Sequence, residues 1–408
     1  MKKLTAILLS LAMVLSLCAC GGNAAATSDA ASTATESAGT KVKAGFICLH
    51  DENSTYDLNF INGAKEACEK MGIEYVMKTN IPEGQECYDA ACELADQGCN
   101  FIFADSFGHE DYMIEAAKEY PDIQFAHATG TKAHTENLAN FHNAFASIYE
   151  GRFLAGIAAG LKLNEMIDAG EITADQAKIG YVGAYTYAEV ISGYTSFFLG
   201  ARSMCPTATM EVTFTGSWYD ETAEKEGANK LIQDGCVLIS QHADSMGAPT
   251  ACETAGVPDV SYNGSTASVA PNTFIVSSRI DWAPYYEYAM GCIQEGKAID
   301  TDWTGTIETG SVKLTELGNA AAAGTEDAIN DAKAKFASGE LHVFDTKTFT
   351  VEGAEVTTYM ADVDTDAEYQ GDHEVITDGF FNESGAGFRS APYFDLQIDG
   401  ITLLDTAF

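Results

Sequence analysis

The feature that most constrains the fold is a regular alternation of short apolar runs with helix-like segments. Amphipathic segments such as Leu58–Met71 and Tyr88–Gln97 separate the apolar runs. The runs, which suit strands buried on both faces, are Ala44–Leu49, Phe101–Ala104, Gln124–Ala128, Ile179–Val182, Cys236–Ser240 and Phe274–Ser277. Repeated β-α-β units predict a doubly wound parallel sheet, and the length of the chain predicts two of them.

One stretch, Lys178–Asp220, contains a complete strand–helix–strand unit. In open α/β sheets, ligands bind beyond the carboxyl ends of the strands. Trp218 and Asp220 follow such an end, so we predict that an aromatic ring and a carboxylate face a small ring-shaped ligand there. Asp220 suits the N-cap of a helix beginning near Glu221 equally well.

The N-terminus has the pattern of an export signal. Two lysines precede an apolar run, Leu4–Leu17, that is short for a bilayer span. The run ends in Leu17-Cys18-Ala19-Cys20, which resembles the bacterial lipoprotein signal and implies that Cys20 is the lipidated first residue of the mature chain. An ordinary cleaved signal is the alternative. Residues 21–40 are mostly small and polar and predict a flexible tether, so the lipid would be the membrane contact, on the extracytoplasmic face.

Charge and cysteine usage exclude some partners. The formal net charge is −38, from 22 basic and 60 acidic residues, and no basic stripe is present to meet phosphate. We therefore expect no nucleic-acid partner. Nine cysteines follow Cys20, an odd number without a Cys-x-x-Cys motif, and most lie in apolar patterns where they act as small hydrophobic residues.

Motifs of catalysis and cofactor binding are missing from the sequence. There is no phosphate-binding Gly-x-x-x-x-Gly-Lys-Ser/Thr loop, no His-Glu-x-x-His and no Gly-x-Ser-x-Gly, so we predict neither an enzyme nor a cofactor. A metal-binding lipoprotein is a weaker alternative. It rests on four histidines that lack the tight spacing of metal ligands, and no metal site is expected from them: His109, His127, His134 and His142.

Several segments together resemble the basic membrane protein family of substrate-binding lipoproteins, which includes bacterial purine nucleoside receptors. The segments are Glu52–Asp57, Lys118–Gly130, Tyr149–Gly160, Lys178–Asp220, Gln241–Ser245 and Trp282–Tyr286. The resemblance extends roughly from Val42 to Lys313. It implies a type I periplasmic-binding fold, in which two doubly wound α/β lobes joined by three crossing strands enclose a ligand.

The resemblance also implies a division of the chain. Lobe 1 would comprise 41–143 and 279–303, and lobe 2 would comprise 144–278 and 304–340, with Asn137–Ile148 as a crossover. Residues 341–408 lie largely outside the family core. They predict a small β-rich C-terminal extension, with strands at Leu341–Thr348 and Phe349–Ala354.

Site residues carry over from the family one by one. Tyr56 stands where the family has a base-stacking phenylalanine, Asp57 replaces its asparagine, and Trp218 matches the aromatic on the opposite face of the base. Further candidates at strand ends are Asp105, Ser106 and Phe107 in lobe 1 and Asp220 and Asp244 in lobe 2. We interpret His242, beside an apolar strand, as structural.

One region departs from the family. Many nucleoside-binding members carry an aspartate pair where this chain reads Ser261-Tyr262-Asn263-Gly264-Ser265, which leaves Asn263 as the candidate. Arg279 would take the place of the basic residue found further on. Without those aspartates, a free base, a modified nucleoside or another cyclic metabolite stays open beside a purine nucleoside.

The sequence therefore predicts a monomeric extracytoplasmic solute-binding lipoprotein of an ABC importer. It would pass a purine nucleoside or related nucleobase-type ligand to a permease and ATPase. The alternative is a sensor lipoprotein that binds another small cyclic metabolite and presents it to a membrane receptor.

Overall fold

The computed structural model describes residues 40–363, 373–385 and 387–406. Cys20 and the predicted tether up to residue 39 lie outside the described residues. The helices are α1 (Thr55–Met71), α2 (Gln85–Asp96), α3 (Glu110–Glu119), α4 (Ala133–Glu136), α5 (Ile148–Asp168), α6 (Ala188–Met204), α7 (Glu221–Gln233), α8 (Gly247–Ala255), α9 (Ala283–Glu295) and α10 (Thr325–Ser338).

The strands are numbered separately along the chain. They are β1 (Lys43–Ile47), β2 (Glu74–Lys78), β3 (Phe101–Ala104), β4 (Gln124–Ala128), β5 (Phe141–Ala146), β6 (Lys178–Gly183), β7 (Thr209–Phe214), β8 (Leu238–His242), β9 (Asp259–Tyr262), β10 (Phe274–Ile280), β11 (Asp302–Gly305), β12 (Val312–Leu314), β13 (Met360–Ala361), β14 (His373–Glu374), β15 (Ile376–Thr377), β16 (Phe380–Phe381) and β17 (Ile401–Leu403). The predicted fold class is confirmed: two helix-covered, mainly parallel sheets form the molecule.

Lobe 1 is built on a six-stranded sheet with the order β11-β5-β4-β3-β1-β2. Every neighbouring pair in this sheet is parallel. Helices α1 and α9 pack on one face, and α2 and α3 pack on the other. Because both faces are covered, strand β3 (Phe101–Ala104) is continuously apolar.

Lobe 2 is built on a seven-stranded sheet with the order β12-β10-β9-β8-β6-β7-β17, in which only the β10–β12 pair is antiparallel. Helices α7 and α8 cover one face, while α5 and α6 cover the other. Helices α5 and α6 approach closely because glycines of the two helices meet where they cross. A Cβ on Gly156 would lie 2.0 Å from the carbonyl oxygen of Phe197.

The chain passes between the lobes three times. It crosses after β5, after β10 and after β11. These strands end at Ala146, Ile280 and Gly305, so each crossing lies two or three residues beyond the boundary expected from the sequence. The crossing after β5 lies within the predicted crossover segment Asn137–Ile148, most of which forms strand β5.

The C-terminal extension packs on lobe 2. Its last strand, β17, pairs in parallel with the edge strand β7, with Ile401 opposite Met210. Phe344 and Phe394 stack with ring centroids 4.2 Å apart and join the lobe 2 core. The strands predicted at Leu341–Thr348 and Phe349–Ala354 are wrong, since those segments make only isolated bridges.

Two further features of the described chain concern its cysteines and its longest helices. All nine cysteines there are free thiols, and all but Cys92 are buried. Among the described helices, none has the length and apolar character needed to cross a membrane.

Candidate functional site

A cavity lies between the lobes, where the carboxyl ends of the two parallel sheets face each other. Its empty space, with the open solvent at its mouth included, is about 390 Å³. Lobe 1 lines it with Leu49, His50, Tyr56, Ser106, Phe107 and Thr129, and lobe 2 lines it with Glu189, Trp218, His242, Asp244, Tyr262 and Asn263. Most of these residues end a strand or follow one, as expected for open α/β sheets.

Aromatic rings reach the cavity from both lobes. Tyr56 is in the first turn of α1, and its hydroxyl donates a 2.6 Å hydrogen bond to the carbonyl oxygen of Asp105. On the opposite lobe, Trp218 follows β7 and packs edge-on against Tyr185, with ring centroids 5.1 Å apart. Both rings are therefore held by contacts outside the cavity, which leaves a surface of each available to a ligand.

Polar groups of lobe 2 line the same space. The side-chain amide of Asn263 donates to Oδ1 of Asp244 at 2.9 Å. Burial, and then the neighbouring Glu224, raises the pKa of Asp244 well above its usual range. Glu189 and His242 lie side by side, with Oε1 and Nε2 3.6 Å apart, and burial lowers the pKa of His242. Among the described residues that line the cavity, none is lysine or arginine.

A buried arginine supports the lobe 2 wall from behind. The guanidinium of Arg152 lies 4.2 Å from the ring centroid of Tyr262 and donates to the carbonyl oxygen of Gln241 at 3.0 Å. The side chain is fully buried in α5, and burial lowers its pKa to about 10. A cation against an aromatic face is attractive, so Arg152 stiffens the wall that Tyr262 presents to the cavity.

The lobes touch directly at the rim, so the structure shows a closed arrangement. The amide N and hydroxyl of Thr55 both donate to the carbonyl oxygen of Asp244, at 3.2 and 3.1 Å. Nearby, the side chain of Asn59 donates to the carbonyl oxygen of Asn263 at 2.9 Å. These contacts must break for a ligand to enter, which requires a hinge motion between the lobes.

The cavity brings together six of the ten predicted ligand residues: Tyr56, Ser106, Phe107, Trp218, Asp244 and Asn263. Asp57 and Asp105 lie just behind it, 1% and 0% exposed. An oxygen of Asp57 accepts from the amide N of His50 at 2.7 Å, and an oxygen of Asp105 accepts from that of Leu49 at 3.0 Å. Both carboxyl groups therefore hold the Leu49–His50 loop, which itself lines the cavity.

Two predicted ligand residues lie elsewhere, and their assignment is corrected. Asp220 is exposed and is the N-cap of α7, where its carboxylate accepts from the amide N atoms of Thr222 and Ala223 at 3.1 and 2.9 Å. Arg279 lies on β10 with its guanidinium 3.7 Å from the carboxylate of Asp281. Each charged group already has a local partner, which the sequence resemblance did not reveal.

Sequence reasoning missed half of the lining. Leu49, His50, Thr129, Glu189 and Tyr262 were not selected, and His242, interpreted as structural, also faces the cavity. Five of these six residues lie at strand ends or within three residues of them, and Glu189 is in the first turn of α6. Position relative to a strand end was the available signal, but it applies equally to many residues that point elsewhere.

Comparison with known proteins agrees with this geometry. Residues 48–347 match the family model described as Bmp, ABC transporter substrate-binding protein PnrA-like. A purine-binding protein of Brucella abortus is 30% identical over 74% of this chain and 83% of its own length. A protein of Haloferax volcanii provisionally named an ABC transporter glucose-binding protein is 32% identical over 64% of this chain, and the match spans 63% of that relative.

Solved structures show the same fold. ABC transporter solute-binding proteins of Conexibacter woesei and Aeropyrum pernix superpose with TM-scores of 0.60 and 0.61. Each match covers 74% of this chain and, respectively, 98% and 93% of the solved one, at 19% and 17% identity. These relatives are solute-binding proteins rather than enzymes. Because the family model matches most of the chain, the protein belongs to the Bmp family of PnrA-like ABC transporter substrate-binding proteins.

Proposed function

We propose that the protein captures a purine nucleoside or a related nucleobase-type ligand between its lobes and delivers it to an ABC permease and ATPase. In this proposal the chain is a monomer anchored on the extracytoplasmic face through a lipid on Cys20. The observation that carries the ligand class is the approach of aromatic rings from both lobes to one cavity, Tyr56 from lobe 1 and Trp218 from lobe 2.

The charge of the lining favours a neutral ligand with hydrogen-bond donors. Glu189 and Asp244 contribute carboxyl groups, and no lysine or arginine of the described chain lines the cavity to neutralise a phosphate. A nucleoside or free base therefore fits better than a nucleotide. Because the pKa of Asp244 is raised, its carboxyl group can donate as well as accept, which suits a purine edge that carries both kinds of group.

A sugar is the second candidate, because one relative carries a glucose-binding name and the other a purine-binding name. The carboxyl groups of Glu189 and Asp244 would also accept from sugar hydroxyls. A flat heterocycle gains more binding energy from two aromatic faces than a puckered pyranose does. The two aromatic rings therefore favour a nucleobase-type ligand over a sugar.

Titration calorimetry of the purified protein would test the ligand class. The panel contains adenosine, guanosine, inosine, adenine, glucose and AMP. We expect nucleosides or free bases to bind more tightly than glucose and AMP. Tight glucose binding with no response to nucleosides would replace the nucleobase proposal with the sugar.

Variants test the aromatic contribution. Trp218→Ala and Tyr56→Ala each remove one stacking face, so binding should weaken by about 1–3 kcal/mol, or roughly five- to 150-fold. Tyr75→Ala, on the exposed edge of lobe 1, is the matched control and should bind normally. Unchanged affinity in Trp218→Ala would reject the two-sided aromatic site.

Tyr56→Phe refines this experiment. The sequence alone predicts a small loss of ligand affinity, because the ring face is kept. The structure shows a hydrogen bond from the Tyr56 hydroxyl to the carbonyl oxygen of Asp105, which phenylalanine cannot make. We therefore also expect Tyr56→Phe to lower the free energy of unfolding by about 0.5–1.5 kcal/mol.

Membrane fractionation tests the anchor. Cys20→Ala should release the protein or leave it unprocessed, whereas unchanged membrane association would reject lipidation. An uptake assay with the partner permease distinguishes an importer from the alternative, a sensor that presents its ligand to a receptor.

A further inference from the structure

A second cluster of functional groups lies behind the lobe 1 wall of the cavity. Cys48, Asp57 and Asp105 are all buried, and each offers one ligand atom within 4.8 Å of the others. Cys48 follows β1 and Asp105 follows β3, which are neighbouring parallel strands, while Asp57 is in the first turn of α1. The fold therefore gathers a thiol and two carboxyl groups at one sheet edge.

We propose that this cluster binds one divalent metal ion of the zinc type, with the Cys48 thiolate and the carboxylates of Asp57 and Asp105 as ligands. Thiolate and carboxylate ligands together suit Zn²⁺, which binds sulfur, nitrogen and oxygen atoms in tetrahedral sites. A fourth position is left for a further ligand, either water or a neighbouring side chain.

Two buried atoms without a partner point toward the cluster. Oδ2 of Asp105 and Nδ1 of His109 have no hydrogen-bond partner within the described part of the chain. Nε2 of His109 lies 2.9 Å from the carbonyl oxygen of Ile81 and must donate to it, so Nδ1 carries the lone pair. That nitrogen is 4.0 Å from Oδ1 of Asp105. A histidine oriented by a backbone carbonyl on its far side is typical of metal sites.

The charges in the cluster require compensation. Asp57 and Asp105 are almost completely buried, and no lysine or arginine of the described chain forms an ion pair with either. The basic groups nearby are His50, whose Nδ1 lies 3.3 Å from Oδ2 of Asp57, and His109, whose Nδ1 lies 4.0 Å from Oδ1 of Asp105. Two buried carboxyl groups need either a cation or a shared proton between them. Metal binding would release the Cys48 proton and any proton shared by the carboxyl groups to solvent.

The position of the cluster links the metal to the ligand cavity. Asp57 and Asp105 hold the amide N atoms of His50 and Leu49, two residues of the cavity lining. A metal that fixes both carboxylates would fix this loop as well. The inference concerns a separate site and stands whichever ligand the cavity takes.

Cobalt titration tests the site, because Co²⁺ bound to a thiolate absorbs in the near ultraviolet. The chelator-treated protein should bind one Co²⁺ per chain with this band, and Zn²⁺ should abolish it. Cys48→Ala should lose the band. Cys68→Ala, which changes a buried thiol in α1 whose raised pKa is due to burial alone, is the matched control and should keep it.

Two further variants keep the test decisive if Cys48→Ala does not fold. Asp105→Asn should lose the band, and His109→Gln should weaken metal affinity by about 10- to 100-fold. Zn²⁺ should raise the melting temperature of the parent but not that of Asp105→Asn. Absence of the band in the parent, or its persistence in Cys48→Ala or Asp105→Asn, would overturn the proposal. The carboxyl groups would then share a proton.

Discussion

The two lobes share one architecture but differ in their buried titratable groups: lobe 1 buries three histidines beside Asp57, Asp105 and Glu110, whereas lobe 2 buries one histidine, His242. Lobe 1 encloses three histidines, His109, His127 and His142, whose pKa values burial lowers to about 4. Lobe 2 and the extension packed on it enclose carboxyl groups, and burial raises the pKa of Glu224 and Asp259 to about 7 and that of Glu383 to about 8. Burial of the histidines favours unfolding as the pH falls, whereas burial of the carboxyl groups favours unfolding as the pH rises.

The lobes also differ at their sheet edges. Strand β2 of lobe 1 is an edge strand with Glu74 and Tyr75 exposed, and nothing described pairs with its outer side. Strand β7 of lobe 2 is covered by β17 from the C-terminal extension. An open edge is a template for unwanted strand pairing, so the extension protects lobe 2 where exposed polar residues protect lobe 1.

Acid should produce the largest difference in stability between the two lobes. The folded histidines of lobe 1 stay neutral down to about pH 4, whereas unfolded histidines take up protons below about pH 6.5. The contribution of these histidines to the free energy of unfolding of lobe 1 should therefore fall by about 1.4 kcal/mol per pH unit for each histidine as the pH drops through this window. Hydrogen exchange, corrected for its intrinsic pH dependence, should show lobe 1 opening first, and earlier opening of lobe 2 would break the comparison.

Truncating a core aromatic of the extension should destabilise lobe 2 next most strongly. Phe394 is fully buried and stacks on Phe344. Phe394→Ala should therefore cost about 3–5 kcal/mol in urea unfolding. Leu404→Ala, at a position 36% exposed just after β17, is the matched control and should change little. A cost below about 1 kcal/mol for Phe394→Ala would show that the extension is not part of the lobe 2 core.

The buried carboxyl group of Glu383 should make lobe 2 less stable as the pH rises. Its folded pKa of about 8 exceeds the ordinary value, so its stabilising contribution is present below about pH 4.5 and is lost as the pH approaches 8. Glu383→Gln should remove a slope of at most about 1.4 kcal/mol per pH unit in this window. The exposed Glu340→Gln is the control, and equal slopes in parent and Glu383→Gln would contradict the prediction.

Replacing the helix caps near the cleft should give the smallest changes in stability. It also compares the two lobes at the site itself. Asp220 caps α7 in lobe 2 and Ser54 caps α1 in lobe 1, so replacing either with alanine should cost about 0.5–2 kcal/mol in stability. Only Ser54→Ala should also weaken ligand binding, because the Ser54 hydroxyl bonds to Asp57, which holds the His50 loop. Calorimetry of both variants decides this, and a large affinity loss in Asp220→Ala would return Asp220 to the ligand site.

The sequence predicted the sheet strands of both lobes well. It also predicted a β-rich extension correctly but misplaced the strands within it. Strands Phe101–Ala104 and Gln124–Ala128 agree with the structure to the residue. Phe101–Ala104 is buried throughout, so its apolar run is unbroken and easily recognised. Alternation across 341–354 suggested strands, but aromatic packing on lobe 2 overrides the local preference there.

The sequence predicted only part of the site, because it marks positions near strand ends but not the direction of each side chain there. Tyr56 and Trp218 were found because the family resemblance marks their positions and both follow or flank a strand end. Asp57, Asp105 and Asp220 satisfy the same criterion, but their carboxyl groups point to backbone amides rather than into the cavity. The sequence does not encode that choice locally, because a loop lacks the two-residue alternation that sets side-chain direction in a strand.

By itself, then, the sequence determined the class of fold and the sheet edge at which the cavity lies, because both follow from local periodicity and from the polarity of parallel sheets. Tertiary structure alone decided which strand-end groups face the cavity, and it brought Cys48 and Asp105 together behind it. It also paired β17 with β7, whose residues Ile401 and Met210 lie far apart in the chain. These outcomes depend on contacts between distant segments, and no local pattern records them.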